Sequence, residues 1–202
     1  GLDAFTLIVT VITILIGLTL HEMMHAFTGL KLGDTTAQEE GRISLNPLDH
    51  IDPFMTIALP IITLLVFQVP ILAAKPVPFN PDRVKWDEFG AALIAAAGPL
   101  TNLALAAIGG LLAHMFAGNI DIYNALTIFV VVNVSIFIFN LVPIPPLDGS
   151  RVLYAFAPDA VRNVMAQMEQ FGIFIVFALI VVFRPFTEVL INLNEKISLF
   201  LL

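Results

Sequence analysis

Long apolar runs separated by short polar segments dominate the chain. Four of them predict transmembrane helices, because a helix satisfies its own backbone hydrogen bonds inside the hydrocarbon layer and an open strand does not. These runs cover residues 4–30, 89–116, 122–139 and 171–183, the last ending at Phe183 or a little beyond Arg184. The pattern predicts an all-helical protein that crosses a membrane several times.

Two further apolar segments have a less regular pattern. Residues 55–74 are apolar but are interrupted by Pro60 and Pro70, which do not fit a continuous helix. The tail, residues 186–202, is broken by Glu188, Glu195 and Lys196. Its pattern fits either an amphipathic helix at the membrane surface or the remnant of another span.

The composition supports a membrane location and excludes other classes. Hydrophobic residues make up 58% of the 202 residues, charged residues only 12%, and the mean hydropathy is +0.95. With a net charge of −7 there is no basic surface for nucleic acid. The chain has no cysteine, which excludes disulfides and cysteine-ligated zinc.

Against this apolar background, the segment HEMMH at residues 21–25 carries three polar side chains in the first predicted span. His21 and His25 are four residues apart, so on a helix they project from one face at a separation suited to one zinc ion. Glu22 lies beside them on the same turn. Ionisable residues are costly inside a membrane, and a functional role is therefore expected. The alternative is a pair of histidines that only hydrogen-bond between helices.

A catalytic zinc ion usually has three protein ligands, so a third is needed. The candidates are His50, His114 and a carboxylate, of which Asp148 is the most suggestive. It follows a span that reaches Asn140 and then meets three prolines within four positions. Prolines end the helix, and unwound backbone near membrane depth is tolerated only inside protein or beside a wet cavity. Gly149 is expected to allow the turn that aims Asp148 inward.

Together these motifs resemble the site-2 protease family of intramembrane zinc metalloproteases. The resemblance rests on HEMMH, on the N-x-x-P-x-P-x-L-D-G pattern of residues 140–149 and on AAAGPLTNL at residues 95–103. It extends to GRISLNPLDHIDPF at residues 41–54 and AKPVPFNP at residues 74–81, which look like the compact prokaryotic branch that lacks a PDZ domain. Residues 1–202 are then expected to form one intramembrane metalloprotease domain. The resemblance implies that His21, His25 and Asp148 bind one zinc ion and that Glu22 is the catalytic base.

The same resemblance implies substrate contacts around this centre. Asn140 is expected to contact the substrate backbone or the developing oxyanion. Pro143 and Pro145 belong to a segment that could hold an unwound substrate by strand addition, as could a strand edge at residues 43–45. Asn46 and His50 are expected to line the cleft, with loop capping as the alternative. We also expect Asn102 to hydrogen-bond between helices near the site.

Shared metal ligands would also determine the topology. His25 and Asp148 lie at the C-terminal ends of the first and third long runs, so these two spans must be parallel. Residues 89–116 supply the single crossing between them, and residues 55–74 are therefore expected to form a re-entrant hairpin. The side that carries the active site would then hold the basic residues Lys31, Arg42, Lys75, Arg83, Lys85, Arg151 and Arg162. By the positive-inside rule it faces the cytoplasm of a multi-pass cell-membrane protein.

We therefore expect an all-α polytopic membrane protein with about four to five transmembrane helices, a re-entrant hairpin and a short membrane-embedded loop or β segment. The expected function is hydrolysis of peptide bonds in or near transmembrane segments of membrane-protein substrates within the lipid bilayer. Two alternatives remain: a catalytically silent relative that binds membrane segments, and a metal transporter. The intact Glu22 argues against the first. The lack of a second acidic or histidine cluster in the sequence argues against the second.

Overall fold

The computed structural model describes residues 3–51, 77–78 and 80–202, and every regular element within them is helical. Short 3₁₀ turns occupy Pro47–His50 and Pro81–Arg83. The α-helices are α1 (Ala4–Lys31), α2 (Thr36–Glu39), α3 (Asp87–Met115), α4 (Ile120–Asn140), α5 (Asp148–Phe156), α6 (Asp159–Glu169), α7 (Gly172–Val182) and α8 (Arg184–Leu201).

Three of these helices, α1, α3 and α4, are long and apolar enough to cross a membrane. They contain 28, 29 and 21 residues, and at about 1.5 Å per residue each is at least as long as the roughly 30 Å hydrocarbon layer. Capping side chains mark two of their starts, since Asp3 accepts a hydrogen bond from the Thr6 amide and Asn119 accepts one from Ile122. The three long predicted spans are confirmed.

The fourth predicted span, residues 171–183, forms a helix that is too short to cross a membrane by itself. Helix α7 has only 11 residues, about half the length that a span needs, because the chain breaks at both of its ends. It qualifies as a membrane span only together with α6, to which it is bent by 84°. The described residues therefore contain three spans, one fewer than the lower limit of the predicted four to five, or four if this bent pair counts as one.

Helix α3 lies antiparallel to both of its long neighbours. At one end, Leu32 packs with Val84 and Ile94. Further along α3, Asn102 bonds to Asn133 of α4, and the later residue Gly109 lies against the earlier residues Phe129 and Val130. Helices α1 and α4 are consequently parallel, as the shared-ligand argument predicts. Their C-terminal ends meet at one side of the bundle, where the candidate metal ligands lie.

The tail of the chain forms a helix that packs along α4. Leu190 packs beside Ile138 near the end of α4, and the backbone of Leu201 approaches Gly110 on α3. In between, the Asn194 amide donates hydrogen bonds to the Val131 carbonyl and the Ser135 hydroxyl. Helix α8 therefore runs antiparallel to α4 over most of its length instead of extending away from the bundle.

Two expectations about the segment between α1 and α3 have different outcomes. The hairpin predicted at residues 55–74 lies outside the described residues. Residues 43–45, a candidate strand edge, have irregular backbone in the structure. The short membrane-embedded segment appears instead as the loop at residues 141–147, between α4 and α5.

Candidate metal centre

The HEMMH segment lies within α1, where helical geometry places both imidazoles on one face. His21 and His25 are buried, at 2% and 7% relative exposure, and their rings pack edge to face with centroids 4.6 Å apart. The two Nε2 atoms are 2.9 Å apart. This arrangement confirms that the spacing directs both histidines to one point.

The carboxylate of Asp148 lies beside the two imidazoles, although it is far from them in the sequence. Helix α4 ends at Asn140, residues 141–147 form an irregular loop with a cis peptide between Pro145 and Pro146, and Asp148 begins α5. Its Oδ2 atom lies 3.1 Å from Nε2 of His21 and 3.3 Å from Nε2 of His25. The proline-rich break thus turns the chain so that a carboxylate faces the two imidazoles.

Two glycines let this loop pack closely, although not in the way expected. We predicted that Gly149 would provide a turn. It instead lies inside α5, where a Cβ atom would collide with the Leu141 carbonyl oxygen. A Cβ atom on Gly172, at the start of α7, would likewise collide with the Pro145 carbonyl oxygen. Both glycines are needed because backbone approaches backbone on either side of the loop.

The other ring nitrogen of each histidine is held by an acceptor on α3. Nδ1 of His21 lies 2.7 Å from Oδ1 of Asn102, and Nδ1 of His25 lies 2.6 Å from the Ile94 carbonyl oxygen. A carbonyl oxygen can only accept, so each Nδ1 carries the hydrogen and each Nε2 presents a lone pair. The expected interhelical bond of Asn102 is confirmed.

The resulting donor set fits a metal ion. Two Nε2 lone pairs and one carboxylate oxygen face one another with all three atoms within 4.8 Å. When both imidazoles are neutral, such electron-rich groups repel unless a cation lies between them, and the observed separations are close to the roughly 3.3 Å expected between ligands of a tetrahedral zinc ion. Gly98 leaves the space open, because a Cβ atom on it would press against Nε2 of both histidines.

The other candidates for the third ligand lie elsewhere. Nε2 of His50 donates to the Ser44 carbonyl oxygen within its own loop. Nδ1 of His114 donates to the Gly110 carbonyl oxygen, about 30 Å along α3 from Ile94. Among the described residues, the structure therefore groups Asp148 with the two histidines.

The remaining predicted site residues occupy mixed positions. Glu22 is buried beside His21, at 8% exposure. Asn140 is the last residue of α4, and its amide donates to the Ile136 carbonyl oxygen. Of the two predicted prolines, Pro143 is exposed and Pro145 is buried. Asn46 caps a 3₁₀ turn by accepting from the Leu48 amide, and both it and His50 have the hydrogen bonds of the loop-capping alternative.

An apolar groove of about 710 Å³ has Asn140 among its lining residues. Its walls come from α1, α4, α7 and α8. Leu18, one helical turn before His21, lies on one wall, and Ile136 and Asn140 lie on another. Most of its lining residues belong to α1, α4 and α8.

The sequence did not identify two residues that pack around the His21, His25 and Asp148 cluster. Gly98 provides clearance for the imidazoles, and Asn133 on α4 hydrogen-bonds to Asn102. A signal for Gly98 was present, because it lies four residues before Asn102 and so on the same face of α3. Asn133 stands alone in an apolar run, and only the packing of α4 against α3 reveals its partner.

Comparison with known proteins places the chain in a family. The sequence model of peptidase family M50 matches residues 112–183. YwhC of Bacillus subtilis, whose name assigns it provisionally to the zinc metalloproteases, is 39% identical over 181 residues, 85% of this chain and 79% of that protein. No solved structure matches the chain.

More distant relatives carry the same provisional name. MJ0611 of Methanocaldococcus jannaschii is 32% identical over 72% of this chain and 69% of its own length. Rip2 of Mycolicibacterium smegmatis is 28% identical over 83% of this chain, which spans only 64% of that protein. With the identity to YwhC and the match to the family model, the resemblance seen in the motifs is confirmed: this multi-pass membrane protein belongs to peptidase family M50, the site-2 protease family.

Proposed function

We propose that this protein is an intramembrane zinc metalloprotease that hydrolyses peptide bonds in or near transmembrane segments of membrane proteins. The observation that carries the proposal is the convergence of His21, His25 and Asp148 in a buried cluster between membrane-spanning helices. The membership of family M50 and the names of the relatives support the same chemistry. The domain then comprises the whole of residues 1–202.

Three side chains would hold one zinc ion, and a fourth would handle protons. Zinc bound by two imidazoles and a carboxylate supplies Lewis acidity that lowers the pKa of water and polarises a carbonyl group. Glu22 lies on the same helical turn as His21, where it takes a proton from the attacking water and passes it to the leaving amine. Its burial keeps this carboxylate fixed beside the ligands instead of free in solvent.

The loop after α4 would position the substrate. Asn140 ends α4 and lines the apolar groove, and its side chain would contact the reacting peptide there. Residues 141–147 have irregular backbone, and Pro143 and Pro145 offer carbonyl oxygens without competing amide donors. An extended substrate could pair with this backbone, which matters because a helical peptide bond is shielded by its own hydrogen bonds.

The active site would face the cytoplasm of a cell membrane. Asp148 and the C-terminal end of α1 lie at the same end of the bundle, together with Lys31, Arg151 and Arg162. The opposite turn, residues 116–119, carries no basic residue. By the positive-inside rule the basic end is cytoplasmic.

Two variants test the proposal, because one should retain zinc and the other should bind it more weakly. Glu22→Gln keeps the volume and all three ligands, so the purified protein should retain zinc while cleavage of a fluorescently tagged single-span membrane protein falls about 100-fold or more. Asp148→Ala should instead weaken zinc binding, because two imidazoles remain to hold an ion that prefers three protein ligands.

A matched control and two adverse outcomes complete this experiment. Glu40 is an exposed glutamate in the loop after α2, and Glu40→Gln should leave both zinc content and cleavage at wild-type values. Wild-type cleavage in Glu22→Gln would refute the catalytic role. Unchanged zinc affinity in Asp148→Ala would refute the ligand set. Zinc binding by the wild type without any peptide hydrolysis would favour the silent relative or the transporter.

A further inference from the structure

Two asparagines that are completely buried between three helices form a chain of hydrogen bonds that ends at His21. Asn102 on α3 and Asn133 on α4 are both 0% exposed. Burying an amide among apolar side chains is costly unless its hydrogen bonds are made, so two adjacent buried amides in membrane-spanning helices call for an explanation. Their hydrogen bonds supply one.

The direction of this chain is fixed by backbone carbonyl groups, which can only accept. Nδ2 of Asn133 donates to the Phe129 carbonyl oxygen at 2.9 Å, so its Oδ1 faces Asn102. Nδ2 of Asn102 donates to that Oδ1 at 3.0 Å and to the Gly17 carbonyl oxygen at 3.1 Å. Both of its amide hydrogens are then used, which leaves Oδ1 of Asn102 facing His21.

His21 must respond to this orientation. An acceptor 2.7 Å from its Nδ1 requires a hydrogen on that nitrogen, and Nε2 is left with the lone pair that points toward Asp148 and His25. A flipped Asn102 would present donors to Nδ1 and place its oxygen against the Gly17 carbonyl oxygen. The acceptor on Asn133 therefore helps to select the tautomer of His21 that can bind a metal ion.

The packing around the amides agrees with this role. A Cβ atom on Gly17 would lie 2.9 Å from Oδ1 of Asn133, closer than side-chain contacts allow, so glycine leaves the space in which the two amides meet. His25 is oriented by a different acceptor, the Ile94 carbonyl oxygen, and does not take part in the chain. The two histidines thus differ in what holds them.

We propose that Asn133 is a positioning residue that acts through Asn102 to keep Nε2 of His21 available for the metal ion. The inference rests on the proposed metal centre, but it concerns a residue that touches none of the three ligands. A purely structural role, in which Asn133 only joins α3 to α4, predicts lower stability of the bundle and no selective effect on His21.

The test compares zinc affinity in four purified proteins, measured by competition with a chelator. Asn133→Leu removes the acceptor at similar volume and should weaken zinc binding about 10- to 100-fold, the range seen when a partner of a ligating histidine is removed. Asn133→Asp should retain near wild-type affinity, because a buried, protonated carboxyl group can donate to the Phe129 carbonyl oxygen and still accept from Asn102. Asn194→Leu removes another interhelical amide, one that bonds Val131 and Ser135, and should leave zinc affinity unchanged.

A spectroscopic measurement separates positioning from loss of stability. In zinc-loaded protein labelled with ¹⁵N-histidine, the Nδ1 proton of His21 should exchange with solvent faster in Asn133→Leu than in the wild type. The Nδ1 proton of His25 should be unchanged, and so serves as an internal control. If Asn133→Leu does not fold, Asn133→Ala, which adds no volume, gives the same comparison.

Each outcome bears on one proposal. Equal zinc affinity and equal His21 exchange in Asn133→Leu and the wild type would overturn the positioning role while leaving the metal centre intact. Equal loss of protection at both histidines would also overturn it, since the effect would then be general loosening. Failure of the wild type to bind zinc would instead refute the proposed metal centre.

Discussion

Replacing Gly98 with alanine should disable the metal centre by adding a single methyl group. Gly98 lies on α3 opposite the two histidines, and a Cβ atom built there would be 2.6 Å from Nε2 of His21. Nε2 of His25 would be closer still, at 2.4 Å, and ordinary contact begins near 3.4 Å, so a ring or the helix must shift by about 1 Å. The rings cannot move away from α3 without losing hydrogen bonds, because their Nδ1 atoms are bonded to Asn102 and to the Ile94 carbonyl oxygen on that same helix.

The size of this shift determines the expected loss. Metal–ligand distances in functional sites vary by only about 0.2 Å, and a displacement near 1 Å costs roughly 100-fold in catalysis. We therefore expect zinc affinity to fall at least about 10-fold and cleavage about 100-fold in Gly98→Ala. Helix propensity by itself favours alanine over glycine by about 1 kcal/mol, so reduced helix formation would not explain the loss.

The assay is zinc competition on purified protein, followed by cleavage of the tagged single-span substrate. Gly118→Ala is the matched control, since a Cβ atom on Gly118 meets nothing within 4 Å, and it should behave as the wild type. Wild-type zinc affinity and cleavage in Gly98→Ala would show that the imidazoles do not occupy the described positions, and the geometric reasoning would be refuted.

Three further predictions concern the substrate, the metal and the topology. Asn140→Ala should lower cleavage and leave zinc bound, because the proposed role of Asn140 is to contact substrate and it lies outside the ligand cluster; loss of zinc would contradict that role. Removal of metal with a chelator should abolish cleavage and added zinc should restore it, whereas persistent activity in metal-free protein would refute a metalloprotease. Cysteines introduced singly at the exposed positions Asp49 and Asp82 should both be labelled from the cytoplasmic side if residues 55–74 form a re-entrant hairpin, and labelling from opposite sides would exclude it.

Much of the metal centre could be predicted from local spacing alone. His21 and His25 share a helix face because helical periodicity brings residues four apart together, and no tertiary contact is needed to see it. Three prolines within four positions end a helix wherever the chain runs, so the break before Asp148 was also local information. A membrane environment strengthens both inferences, because polar groups are costly there and are therefore expected to have a function.

Other features depended on contacts between distant parts of the chain. That α7 is bent by 84° relative to α6 and that α8 packs back along α4 could not be derived from hydropathy, since an apolar segment satisfies either arrangement. The role of Gly149 differed for the same reason: sequence identifies a glycine, but only packing distinguishes a turn from a close approach to the Leu141 carbonyl oxygen.

The sequence by itself determined the membrane environment, the all-helical class and the residues able to bind a metal ion. Each follows from periodicity, hydrophobicity or side-chain chemistry along one segment. The tertiary structure decided which carboxylate joins the histidines, and it placed Gly98 and Asn133 in the support of the site. These features are spaces and hydrogen bonds between helices that are far apart in the chain. They exist only once α3 and α4 have packed against α1.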